Sequence, residues 1–175
     1  MNSKFTYDYN RLTGENYKFG LKTILNILEY HHIRYIYWWR SYEKRPSKLK
    51  RFILFRYARK FGLEISPTAS IGKELYLGHP YNITVGGEVI IGEHVSLHKG
   101  CTIGRENRGK REGSPTIGNF VWIGINATIV GKVSIGNDVL ICPNCFVNFD
   151  VPDHSVVVGN PATIHYKSHA TEGYL

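Results

Sequence analysis

The sequence has few cysteines: three in 175 residues, an odd number that argues against a disulfide framework. It has no run approaching ~20 uncharged apolar residues, so no membrane-spanning helix is expected. The first residues, Met1 to Asp8, lack an apolar stretch followed by a small-residue cleavage site, and a cytoplasmic location is the expectation. Acidic residues are scarce at one end. Residues 1–62 hold 4 Asp or Glu against 14 Lys or Arg, a balance of +10, while residues 63–175 hold 10 against 8, a balance of −2. The basicity therefore belongs to the N-terminal segment alone. No P-loop or dinucleotide fingerprint occurs, and past residue 62 no helical 3.6 period appears, which argues against an ordinary α/β fold.

What is present is a repeat. Stepping by six from Ile65 gives Ile71 and Leu77; two extra residues, assigned to Ile83-Thr84, reset the frame at Val85. The steps resume through Ile91, Leu97 and Ile103, break at Arg105–Thr116, and continue through Ile117, Ile123, Ile129, Ile135, Ile141 and Val147. Every rung is Ile, Leu or Val, and Gly follows in eight of the 13. A three-sided parallel β-helix satisfies this period. Each hexapeptide makes a short strand and a turn, and the aliphatic residue stacks on its equivalent about one coil later. The fifth position is also small or β-branched, as at Ala69, Val95, Cys101, Ala127 and Cys145. Cys142 and Cys145 form a lone CxxC, which reads as structural because zinc takes four ligands.

Residues 1–62 read as helical. Leu21–Glu29 has apolar residues at helical spacing, an aromatic stretch follows around Trp38 and Trp39, and Pro46 breaks the chain. Ser47 suits the N-cap of a basic, aromatic helix beginning at Lys48. These helices are expected to close the end of the solenoid and to help join subunits. A peripheral contact with anionic lipid through residues 47–61 is the sharper alternative. Charge alone does not indicate nucleic acid, and no nucleic-acid fold is recognisable. The expected organisation is a helical segment at 1–62, an all-β solenoid at 63–165 with its loop at 105–116, and a tail at 166–175.

The segment Leu75 to Val85 carries His79 in the third position of a repeat, beside the extra residues, so at a corner and away from the core. Acyl transfer to a hydroxyl needs a base, and imidazole suits that task near neutral pH. The repeat resembles the left-handed β-helix acyltransferases over about residues 63–165. The stretch Phe61-Gly62-Leu63-Glu64-Ile65 through Leu77-Gly78-His79 is similar to serine acetyltransferases and, more closely, to their relatives that O-acetylate bacterial capsule or lipopolysaccharide sugars. The resemblance implies His79 as general base and Glu64, expected one coil below Asn82, as its carboxylate partner. It implies a homotrimer with sites between subunits, and acetyl-CoA as co-substrate without a metal. The acceptor would be met by His98, Lys99, Tyr81, Asn82 and Ser114, with loop 105–116 covering the site. Acetyl-CoA would lie along Gly124, Ile125, Asn126, Cys142, Pro143, Asn160 and Pro161, with Lys167 reaching a phosphate.

Two departures from serine acetyltransferases bear on the acceptor. Gly78 stands where they carry Asp, and Gly113-Ser114 where they carry Arg-His. Those groups hold an amino acid's charges, so a hydroxyl of a surface-polysaccharide sugar or its precursor is the favoured acceptor. Serine or another small molecule is the alternative. A non-enzymatic β-helical scaffold, docked by its basic helix, is a further one. A metal-dependent hydrolyase like the γ-class carbonic anhydrases would need three convergent histidines, and His79, His94 and His98 are expected on different faces.

Overall fold

The computed structural model describes residues 3–175; residues 1 and 2, the start of the expected helical segment, lie outside the described residues. Four helices precede the solenoid: α1 (Ser3–Thr13), α2 (Leu21–Glu29), α3 (His31–Lys44) and α4 (Lys48–Phe61). Ser47 caps α4 as its sequence suggests, its hydroxyl accepting from the Lys50 N–H at 3.2 Å, and Gly62 ends that helix in the left-handed conformation.

Three parallel sheets then wind into about five coils. The first sheet contains β1 (Leu63–Ile65), β4 (Ile83–Val85), β7 (Thr102–Gly104), β10 (Thr128–Val130) and β13 (Phe146–Val147). The second contains β2 (Ser70–Ile71), β5 (Ile90–Ile91), β8 (Thr116–Ile117) and β11 (Ser134–Ile135). The third contains β3 (Tyr76–Gly78), β6 (Ser96–His98), β9 (Val121–Ile123), β12 (Val139–Ile141), β14 (Ser155–Val158) and the reversed β15 (Thr163–Tyr166).

The aliphatic ladder becomes three inward columns. Ile65, Val85, Ile103, Ile129 and Val147 stack in the first sheet; Ile71, Ile91, Ile117 and Ile135 stack in the second; Leu77, Leu97, Ile123 and Ile141 stack in the third. All are buried, and Val151 and Val157 extend the columns past the last rung read from the sequence. Burial of this aliphatic surface, at roughly 25 cal/mol per Å², drives the winding.

The position of the two extra residues differs from the sequence reading. Gly78 pairs with His98 and Thr84 with Thr102, so the surplus falls between them, and Ile83 and Thr84 are already in strand β4. The hydrophobic period fixed the frame on either side but could not place the insertion within the gap. It lies in the turn His79–Asn82. Consequently Glu64 pairs with Thr84 and not with Asn82, one coil being 20 residues long here.

The helices are bolted to the open end of the solenoid. Asp8 and Arg40 form a fully buried ion pair at 2.7 Å. Asp8 also accepts from the Leu75 N–H at 2.9 Å, and Arg40 donates to the carbonyls of Ile71 and Gly72. Phe5, Tyr9, Ile33, Ile36 and Trp39 pack into the same core cluster as the first coil.

Candidate active site

One edge of the prism, where the third sheet turns into the first, gathers most of the expected residues. From bottom to top it runs through His79–Asn82, Lys99-Gly100, Ile125-Asn126 and Pro143-Asn144, and ends at Gly159–Ala162. Backbone bonds tie each turn to the next. Lys99 N–H donates to Gly78 C=O, Gly100 N–H to Tyr81 C=O, Asn126 N–H to Lys99 C=O, and Asn144 N–H to Ile125 C=O. Asn126 and Asn144 begin a side-chain ladder at 3.4 Å. Gly124, Cys142 and Pro143 thus lie on this edge, as do Asn160 and Pro161.

His79 is exposed at the foot of the edge with φ 48°, in a turn where Asn82 is also left-handed. Asparagine accepts that conformation more readily than most residues. The helices brace this turn. The Asn82 N–H donates to the Phe61 carbonyl, the His31 Nε2 lies 3.3 Å from the Pro80 carbonyl oxygen, and Tyr81 packs on the rings of His31 and Phe61. Sequence reading missed this bracing, since nothing in the spacing of His31 or Phe61 announces a contact with a turn far along the chain.

His98 sits one coil above Gly78, half-buried. Its ring lies 4.5 Å from that of Trp122, and a Cβ at position 78 would meet its Cε1 and Nδ1 at 2.4 Å. The absence of a side chain at Gly78 and the presence of the imidazole are therefore one feature: the ring occupies the space that a residue 78 side chain would take. The His98 Nε2 is buried and, among the described residues, has no hydrogen-bond partner. Burial, aided by the neighbouring His79 and Arg11, lowers its pKa below the ordinary imidazole value. A neutral ring with an unpaired buried nitrogen is costly unless a ligand completes it. Trp122 was not anticipated, although its place in an outward row beside His98 follows once the coils are stacked.

Three expected residues stand apart from this edge within one chain. Glu64 lines the groove between α4 and the first coil, and no hydrogen bond or ion pair joins it to His79. Ser114 belongs to the loop at another edge, between the first and second sheets, where its hydroxyl lies 3.3 Å from the Glu88 carboxylate. That loop folds back on its own coils through Arg105 with Glu88 and Arg111 with Asp150. Lys167 is carried away because β15 reverses against β14; its N–H donates to His154 C=O at the edge between the second and third sheets. His94 lies on another face, half-buried, with Nδ1 2.7 Å from Glu74.

At that last edge Asp138 fastens the tail. It accepts from Ala170 N–H, Thr171 N–H and the Thr171 hydroxyl at 2.9, 2.9 and 2.6 Å, and lies 2.8 Å from His154 Nδ1. Burial alone would raise its pKa, but these hydrogen bonds outweigh it and hold the carboxyl far below the usual range. The tail then brings Tyr174 to 5.2 Å from Trp122. The described residues contain no cluster of three or more His, Cys, Asp or Glu suited to a metal ion. No helix among them is long and apolar enough to cross a membrane.

Residues 114–148 match the family model described as bacterial transferase hexapeptide (six repeats). The serine acetyltransferase of Helicobacter pylori is 36% identical over 116 residues, covering 66% of this chain and 64% of that protein. The serine acetyltransferase of Staphylococcus aureus is 39% identical over 105 residues, covering 59% and 48%. The structure of Neisseria gonorrhoeae serine acetyltransferase in complex with serine superposes with a TM-score of 0.75 at 28% identity, covering 93% of this chain and 67% of that one. The chain spans about one third to two thirds of the length of the curated relatives it matches. By repeat, by fold and by sequence, it is a hexapeptide-repeat β-helix protein similar to the serine acetyltransferases.

Proposed function

We propose that the protein is an acetyl-CoA-dependent O-acetyltransferase with His79 as its general base. The observation that carries this reading is an exposed imidazole, braced from behind, at the foot of a continuous edge of backbone turns. His79 takes the acceptor's hydroxyl proton while the oxygen attacks the thioester carbonyl carbon. The C–S bond of the tetrahedral adduct breaks, and the proton passes to the departing thiolate of CoA. The products are an O-acetyl ester and CoA, with no acyl-enzyme. Acetyl-CoA lies along Gly124–Asn126 and Cys142-Pro143 towards Asn160-Pro161, and His98 meets the acceptor through its unpaired Nε2. Lys99, Tyr81 and Asn82 border that acceptor.

Ser114, Glu64 and Lys167 lie away from the His79 edge of their own chain, which supports a site completed by a second copy in a homotrimer. There Ser114 contacts the acceptor, Glu64 supports the base, and Lys167 meets a CoA phosphate.

The names of the similar proteins favour serine, or a comparable small molecule, as acceptor. A specific observation favours a second reading, an uncharged sugar hydroxyl. The ring of His98 leaves no room at Gly78 for a carboxylate that would hold an ammonium group, and Gly113-Ser114 offers no cation for a carboxylate. Release of CoA thiol from acetyl-CoA, followed with serine and with a panel of sugars, separates the two. Activity with neither class, together with no acetyl-CoA binding by calorimetry, would leave the scaffold reading.

A further inference from the structure

We propose that the outer face of α4 is a docking surface for an anionic lipid bilayer. The helix has 14 residues, six of them Lys or Arg and none acidic. Its inner side buries Leu54 and Tyr57 against the rest of the fold. Lys50 is turned inward, donating to the Ser41 and Arg45 carbonyls at 2.8 Å. The remaining five cations, Lys48, Arg51, Arg56, Arg59 and Lys60, are exposed. Among the described residues none of the five has an ion-pair partner.

Between them Leu49, Phe52 and Phe55, three residues apart, are 67%, 56% and 53% exposed. Scattered single apolar residues need no explanation, but a row of three large ones threaded through five unpaired cations does. A purely polar partner would leave the rings in water. A purely apolar one would desolvate the cations at high cost. The headgroup boundary of an anionic bilayer accepts both, because rings enter the acyl edge while long basic side chains reach back to phosphates. Arg59 already lies 5.7 Å above the Phe55 ring, its stem alongside the apolar row.

The adjoining groove between α4 and the first coil, which holds Glu64, is not part of this surface. A symmetric contact with a second copy would instead bring five cations against five. The surface is independent of the acetyl-transfer reading.

The test is cosedimentation of the full chain with vesicles of phosphatidylcholine alone, and of one part phosphatidylglycerol to two parts phosphatidylcholine, at low and high salt. Binding is expected on the anionic vesicles only and is weakened by salt. R56Q and R59Q should each weaken it by about fivefold, and F52S/F55S should abolish it, with circular dichroism confirming that the helices persist. The proposal is overturned if the protein stays in the supernatant with anionic vesicles at low salt, or binds both vesicle types equally. It is also overturned if F52S/F55S leaves vesicle binding intact while dissociating an oligomer, or if single-stranded RNA competes the protein off anionic vesicles.

Discussion

Replacing Gly78 with Ala tests the steric coupling at the centre of the site. A methyl group there would sit 2.4 Å from two atoms of the His98 ring and 3.1 Å from a third. The ring has little room to retreat, since Trp122 lies 4.5 Å away. Such overpacking costs about 1–3 kcal/mol. Gly78 lies in strand β3 without a positive φ, so alanine itself suits the backbone and returns about 0.4–1 kcal/mol through the unfolded chain. The net expectation is a loss of about 1–2 kcal/mol in urea unfolding. His98→Ala removes the obstacle, so the double variant should recover most of that loss, leaving a coupling well outside the ~0.3–0.5 kcal/mol of independent sites. Transfer activity should fall in Gly78→Ala as the ring is displaced. An unchanged midpoint for Gly78→Ala, or strict additivity of the two substitutions, would refute the argument that one residue makes space for the other.

Two other outcomes follow from buried charge. Asp8→Ala removes the nearer carboxylate from buried Arg40, which keeps Glu43 at 3.3 Å and the Ile71 and Gly72 carbonyls, and leaves the Leu75 N–H without its acceptor; it should lower stability by about 1–3 kcal/mol, read as an earlier urea transition. Asp138 has a folded pKa depressed below its ordinary value of 3.8. Its contribution to docking the tail should be complete above that pH and be lost only as pH falls further. Amide exchange at Ala170 and Thr171 should therefore stay slow at neutral pH and in mild acid, and become fast in Asp138→Ala at every pH.

The solenoid was legible because its signal is periodic and redundant. Thirteen aliphatic rungs fixed the three columns, and the small fifth positions such as Cys101 and Ala127 proved to be core. Ser47 announced its helix because capping is a local interaction. What failed was placement inside the gaps. Between Leu77 and Val85 the period counts surplus residues without locating them, so Glu64 was set opposite Asn82 when it faces Thr84. Lys167 lies away from the His79 edge of its own chain for a topological reason, since an antiparallel reversal at β15 leaves no mark on a six-residue period. The link between Gly78 and His98 could be read as a stacking relation, but the collision between them needed coordinates. Trp122 and the bracing by His31 and Phe61 depend on side-chain directions that spacing does not carry.

The most direct test of the central claim compares wild type with His79→Ala for release of CoA from acetyl-CoA in the presence of serine and of sugar acceptors, with mass spectrometry of the acetylated product. Loss of the base should lower kcat by about 10²–10⁴ while acetyl-CoA still binds and the circular dichroism spectrum is unchanged. Full transfer by His79→Ala with the acceptor that wild type acetylates would contradict it.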